Sequence, residues 1–136
     1  MTTTVVKMEG TSPKLYGSVA PLVMNPDVIK YNHNYPFKTN ESFVWFVAFQ
    51  KKKVVGFLPV EIRKKAAVIN NYYVGQDEEE VFKCLLDAVE EAFRDTGKVL
   101  EAVVQKIHES YFLAQDFEIE RTWSVYFRMK KIYEKR

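Results

Sequence analysis

Seven consecutive apolar residues, 43–49 (FVWFVAF), stand between polar flanks and predict a strand buried on both faces. The polar run 50–53 (QKKK) reads as a turn, 54–62 (VVGFLPVEI) as the next strand, 63–65 (RKK) as a second turn and 66–74 (AAVINNYYV) as a third strand. Two short polar turns in succession imply an antiparallel meander. Pro59 cannot donate to a ladder, so the pattern expects its strand to lie at an edge or carry a bulge. Residues 77–96 then switch to helical spacing, with Val81, Phe82, Leu85, Leu86, Val89, Ala92 and Phe93 on one face and Gly97 as the stop. Asp77 and Glu80 fit an Asp-x-x-Glu capping box at its start.

The flanking elements are shorter. Residues 3–8 predict a first strand, and 12–23 a helix with Ser12 as N-cap, Pro13 at its first position, Leu15, Val19 and Leu22 on one face and Pro21 near its end. Residues 25–42 are irregular apart from a helical turn at 27–31, and long ordered loops are often functional. After the long helix come a strand at 99–104, placed to run parallel to an earlier one, a short helix at 107–115 and a short strand at 117–120. Residues 122–130 (TWSVYFRMK) alternate cleanly and predict one strand with Trp123, Val125, Phe127 and Met129 on its core face.

Composition narrows the classes. The 136 residues suffice for one domain, and the net charge of +2 lacks the basic excess of a nucleic-acid binder. Cys84 is the only cysteine, which excludes an intramolecular disulfide and a thiolate zinc cluster and fits a reducing, cytoplasmic setting. His33 and His108 are the only histidines, neither in a metal-ligand pattern, so no metal site is expected. The N-terminus has no signal-peptide pattern, and no apolar run approaches the roughly 20 residues of a membrane span. The basic triplets 51–53 and 63–65 fall in turns at opposite ends of one strand, and the tail 130–136 is too short for a binding arm.

The order strand, helix, loop, three-strand meander, long helix, strand, short helix, terminal strands resembles the GNAT superfamily of N-acetyltransferases, most closely over residues 40–130. One local likeness is specific: Phe112-Leu-Ala-Gln-Asp116-Phe117 stands where the family ends its last helix with Tyr-x-x-x-Gly-Phe. The resemblance implies a single α/β (α+β) domain, residues 1–136, with a mixed, mostly antiparallel central sheet flanked by helices. It implies acetyl transfer from acetyl-CoA to a primary amine by direct attack, the pantetheine arm lying where the third meander strand splays from the strand after the long helix. Backbone amides there polarise the thioester, and a tyrosine on the last helix protonates the leaving thiolate. Carried onto this chain, the cofactor side falls on Tyr72, Tyr73, Val74, Gly75 and Gln76. The acceptor side falls on Asn34, Tyr35 and Asn70, and the candidate catalytic groups are Tyr111, Glu61 and His33.

Two positions depart from the family. Its Arg/Gln-x-x-Gly-x-Gly/Ala phosphate loop aligns with Asp77, Glu80 and Phe82, within an acidic run 77–80 and a connection about two residues shorter. Carboxylates repel a pyrophosphate by about 1 kcal/mol or more per close pair, and glycine is what permits close approach. The tyrosine position holds Phe112, with Tyr111 beside it about 100° around the helix. A second reading follows: a degenerate GNAT-like binding or structural module that does not bind CoA. A third is a small dimeric α/β regulator unrelated to that family; independently of the reading chosen, the Trp-containing terminal strand could pair across a homodimer.

Overall fold

A computed structural model describes residues 2–131; positions 132–136 of the basic tail lie outside the described residues. Eight strands form one sheet in the order β1 (Thr4–Glu9), β2 (Phe43–Gln50), β3 (Lys53–Ile62), β4 (Ala66–Ile69), β6 (Val99–Gln105), β8 (Tyr126–Lys131) and β7 (Glu118–Thr122), with β5 (Tyr73–Val74) also paired to β3. All pairings are antiparallel except β4 with β6. This exception follows from the crossover helix α3 (Glu78–Phe93), which returns the chain to the end where β4 began.

The sheet is sandwiched. Helix α3 presents Val81, Phe82, Leu85, Leu86 and Val89, each fully buried, to one face. Each of these contributes roughly 1.5–3 kcal/mol relative to exposure. Ala92 is exposed, and Ala88 takes its place against the core. The opposite face carries α1 (Pro13–Val23), whose Leu15 and Val19 pack among Trp45, Phe57 and Val47. Burial on both faces explains the unbroken apolar run of β2. Ser12 caps α1, its side chain accepting from the Lys14 N–H at 3.2 Å. A second short helix, α2 (Pro26–Tyr31), follows, capped by Asn25.

Three expected elements are divided. The strand foreseen at 66–74 breaks into β4 and β5, because the register against β3 shifts by one residue between the Val60–Ile69 and Phe57–Tyr73 pairs. Asn71 absorbs the extra residue at φ 57°, a conformation asparagine tolerates. Strict alternation would pair the faces of Asn70 and Tyr72; the bulge puts Tyr72 with Ile69 and Val74 against α3 instead. Pro59 accordingly lies within the sheet, not at an edge. Its carbonyl accepts from Asn70, so its missing N–H also faces the break.

The strand foreseen at 122–130 is a hairpin: β7 ends at Thr122, Trp123 bonds back to Tyr126, and Trp123 and Val125 sit exposed in the turn, while Met129 reaches the core. The helix foreseen at 107–115 begins as a 3-10 turn (Lys106–His108) before α4 (Glu109–Leu113). No capping box forms. Asp77 lies in the left-handed region at φ 48° with no side-chain cap bond, and Glu80 accepts instead from the Thr3 hydroxyl at 3.0 Å.

Candidate functional site

The bulge matters because it parts two strands. β4 is held to β6 only from Ala66 to Ile69, paired with Val99 to Ala102. Beyond that point β5 pairs with β3 alone, and the end of β6 pairs with β8 alone. A cleft of about 1350 Å³ opens beside β5, between the α1–α2 segment and the start of α3, with Ile107, His108 and Tyr111 on its far wall.

The interior of this splay is filled by aromatic rings. Phe82, at the second turn of α3, is buried with its ring stacked on Tyr111 at 4.8 Å and edge-on to Tyr72 at 5.5 Å. Tyr31, from the end of α2, stacks on His108 at 5.7 Å and meets Tyr73 edge-on at 5.0 Å. Phe112 is fully buried, edge-on to Phe117. The bulk of Phe82 occupies the junction of α3, α4 and β5.

A polar chain runs through these rings. The Gln105 backbone N–H donates to the Tyr72 hydroxyl at 2.9 Å, and that hydroxyl lies 2.7 Å from His108 Nδ1. The Glu78 carboxylate beside Nε2 can only accept, which places the ring proton on Nε2 and directs Tyr72 to donate to the bare Nδ1. The His108 proton is then on Nε2, 3.2 Å from Glu78 Oε2 and 3.3 Å from the Tyr31 oxygen. Burial holds His108 below its ordinary 6.5, with the Glu78 carboxylate opposing. Burial likewise holds the phenols of Tyr31 and Tyr72 above their ordinary 10.0. None of these phenols is poised to ionise near neutral pH.

The loop entering α3 is tied down by side chains. Gln76 donates to Gln50 at 2.8 Å, Gln50 to Thr3 at 3.0 Å, and Thr3 to Glu80 at 3.0 Å. Among the described residues five carboxylates line the cleft (Asp27, Asp77, Glu78, Glu79, Glu80), against one cation, Lys83, which is itself paired to Asp87 at 2.7 Å.

The expected site residues divide. Tyr73, Val74, Gly75, Gln76 and Tyr111 all line the cleft. Tyr72 turns its side chain into the core. Glu61 lies toward the opposite end of β3, pairs with Arg63 at 2.8 Å and does not line the cleft. Asn70 lines a small separate pocket of about 140 Å³ with Trp123 and Arg128, its side chain accepting from the Asn71 N–H. His33 and Asn34 adopt positive φ in the exposed loop after α2; His33 packs edge-on to Tyr126 at 5.3 Å, and Tyr35 is 61% exposed. Sequence reasoning missed Tyr31, His108 and Glu78 as a unit. Their signal was long-range: positions 31, 78 and 108 meet only once the sheet has closed.

No family model matches the sequence, and no curated protein matches it. Solved structures do match the fold over nearly the whole chain. Escherichia coli ElaA superposes with a TM-score of 0.71 at 13% identity, covering 96% of this chain and 99% of that one. The Escherichia coli ribosomal-protein-S18-alanine N-acetyltransferase gives 0.69 at 12% identity, covering 95% and 91%. The PaiA N-acetyltransferase of Thermoplasma acidophilum, solved with coenzyme A, gives 0.66 at 16% identity, covering 98% and 100%. The fold is that of the GNAT N-acetyltransferases.

Coenzyme A, which that fold suggests, does not fit the residues present. Its pyrophosphate would meet the carboxylates of 77–80 at the first turn of α3, where an anion site needs free amides and neutral or basic side chains. Among the described residues no group of His, Cys, Asp and Glu could hold a metal ion, and no helix is long and apolar enough to cross a membrane.

Proposed function

We propose that this chain is a GNAT-fold binding module that does not use coenzyme A. The observation that carries this reading is the start of α3: a left-handed Asp77 followed by Glu78, Glu79 and Glu80, at the place where the fold would cradle a pyrophosphate. A carboxylate 4 Å from a phosphate charge costs about 1 kcal/mol even in water. Several such pairs outweigh the 0.3–1 kcal/mol, roughly, that a helix N-terminus offers an anion. Gln76 and Glu80 are tied by hydrogen bonds to Gln50 and Thr3 in this arrangement. The charge of the cleft suits a cationic occupant.

Calorimetric titration with acetyl-CoA tests the reading. We expect no saturable heat up to about 1 mM, a ligand concentration that corresponds to roughly 4 kcal/mol of binding free energy. Micromolar binding would overturn it.

A second reading, acetyl transfer to a primary amine, is favoured by the placement of Val74 and Tyr111 on one cleft. Tyr111 would then protonate the leaving thiolate, and the loop of His33, Asn34 and Tyr35 would receive the amine, with Glu61 and Asn70 outside the cleft. Release of free thiol from acetyl-CoA in the presence of an amine panel would establish it. A homodimer formed through the β7 edge, with Trp123 and Val125 beside it, is part of either reading and is checked by the solution mass.

A further inference from the structure

Among the described residues, the gap between β5 and β6 leaves one side of β5 without a neighbouring strand. Gly75 N–H turns toward β3, donating to Val55 at 2.8 Å. Backbone direction alternates along a strand, so the Val74 N–H points the other way, into the gap. There it points toward the phenolic oxygen of Tyr31. The same oxygen is 3.3 Å from His108 Nε2, on the far side of the gap.

Tyr31 is fixed from both sides. Its carbonyl accepts from the Gln105 side chain, at the end of β6, at 3.0 Å. The next residue, Asn32, is 3% exposed and donates to Asn71, in the bulge, at 2.9 Å, and to the Tyr35 carbonyl at 3.1 Å. The Tyr31 ring is clasped between Tyr73 of β5 and His108 of the 3-10 turn. The end of α2 therefore bridges the two diverging strands with four polar contacts and two ring contacts.

We propose that Tyr31 is the built-in occupant of this splay: the chain fills with its own phenol the slot that a ligand's extended arm would need, and so holds the cleft closed at its inner end. The inference is independent of the acidic loop. It applies equally to a ligand without phosphates, which never meets the start of α3. The slot is a joint of the fold, and only removal of the Tyr31 side chain turns it into a site.

Two variants separate this from a merely structural tyrosine. Tyr31→Phe keeps the ring and removes only the oxygen that the Val74 amide reaches. Its Val74 amide should exchange with deuterium roughly tenfold faster, the equivalent of one net hydrogen bond, while the amide of Leu85 in mid-helix is unchanged. Tyr31→Ala should bind acetyl-pantetheine, a thioester that carries no phosphate, with renewed protection of Val74, and the unsubstituted protein should not bind it. Unchanged Val74 exchange in Tyr31→Phe overturns the inference. So does acetyl-pantetheine binding that is equal in the two proteins, or absent from both. Because this probe lacks phosphates, its result is separate from the acetyl-CoA titration, which reads the acidic loop as well.

Discussion

Replacing Tyr72 with phenylalanine removes one oxygen and almost no apolar surface, yet it should cost more than most core truncations of that size. The Tyr72 hydroxyl accepts from the Gln105 backbone N–H at 2.9 Å and donates to His108 Nδ1 at 2.7 Å. All three residues are buried: Tyr72 is 2% exposed, Gln105 5% and His108 1%. In Tyr72→Phe both groups lose their partner where water does not reach. A change of tautomer does not rescue His108, since Nδ1–H would be as orphaned as bare Nδ1. Each stranded buried group costs about 1–3 kcal/mol, so the variant should lose about 2–6 kcal/mol, on the order of 10 °C or more in Tm for a chain of this length. Urea unfolding followed by circular dichroism reads the loss as a lower midpoint at unchanged slope. The neighbouring Tyr73→Phe, at a half-buried phenol, should stay within about 0.5 kcal/mol. A Tyr72→Phe loss below about 0.5 kcal/mol would refute the reasoning, because it would mean that the chain from Gln105 to His108 is not closed to water.

The same network sets a pH dependence. His108 is held below its ordinary 6.5 by burial, so the unfolded chain binds a proton there before the folded one does. The contribution of neutral His108 is complete above about pH 6.5 and is lost as the pH falls toward the folded value, with a slope of at most about 1.4 kcal/mol per pH unit. His108→Gln should flatten stability between pH 7 and 5 relative to the unsubstituted protein, although Tyr31, Tyr72, Glu78 and Tyr111 all face the same ring. Gly10→Ala would place a Cβ 2.3 Å from the Asn40 carbonyl oxygen and 2.7 Å from that of Phe43. Both obstacles are backbone, so we expect a loss of about 1–3 kcal/mol, read as a lower Tm. Asp77→Gly removes a side chain from a left-handed position where it makes no cap bond; stability should rise by up to about 1 kcal/mol, and a fall of that size would mean that Asp77 caps α3 after all.

Much of the fold was legible in local pattern. The unbroken apolar run of β2, the heptad-like face of α3 and the Ser12-Pro13 start of α1 each state their own structure, because burial and capping act over a few residues. Residues 73–76, placed from element order, and Tyr111, taken as the neighbour of the motif position Phe112, lie along one cleft. Two kinds of feature were not legible. A one-residue bulge leaves no local mark: Asn70 and Asn71 read equally well as alternating strand positions, and only the register against β3 reveals the shift. The end of the chain failed for a related reason, since Trp123 and Val125 keep strand-like alternation while forming a hairpin turn. The Tyr31–His108–Glu78 cluster is the second kind. No spacing rule joins three positions brought together by a helix, a loop and the far end of a crossover. The acidic start of α3 was visible in sequence as a departure from the GNAT pattern, but the hydrogen-bond chain that ties it through Gln76, Gln50 and Thr3 was not.

The central claim is that this GNAT-fold cleft has no place for coenzyme A. The most direct measurement is an amide-resolved NMR titration of the nitrogen-15-labelled protein with acetyl-CoA. We expect the amides of Val74, Gly75 and Glu78 to Phe82 to keep their positions up to millimolar ligand. Saturable shifts centred on those amides would contradict it and return the chain to the acetyltransferases.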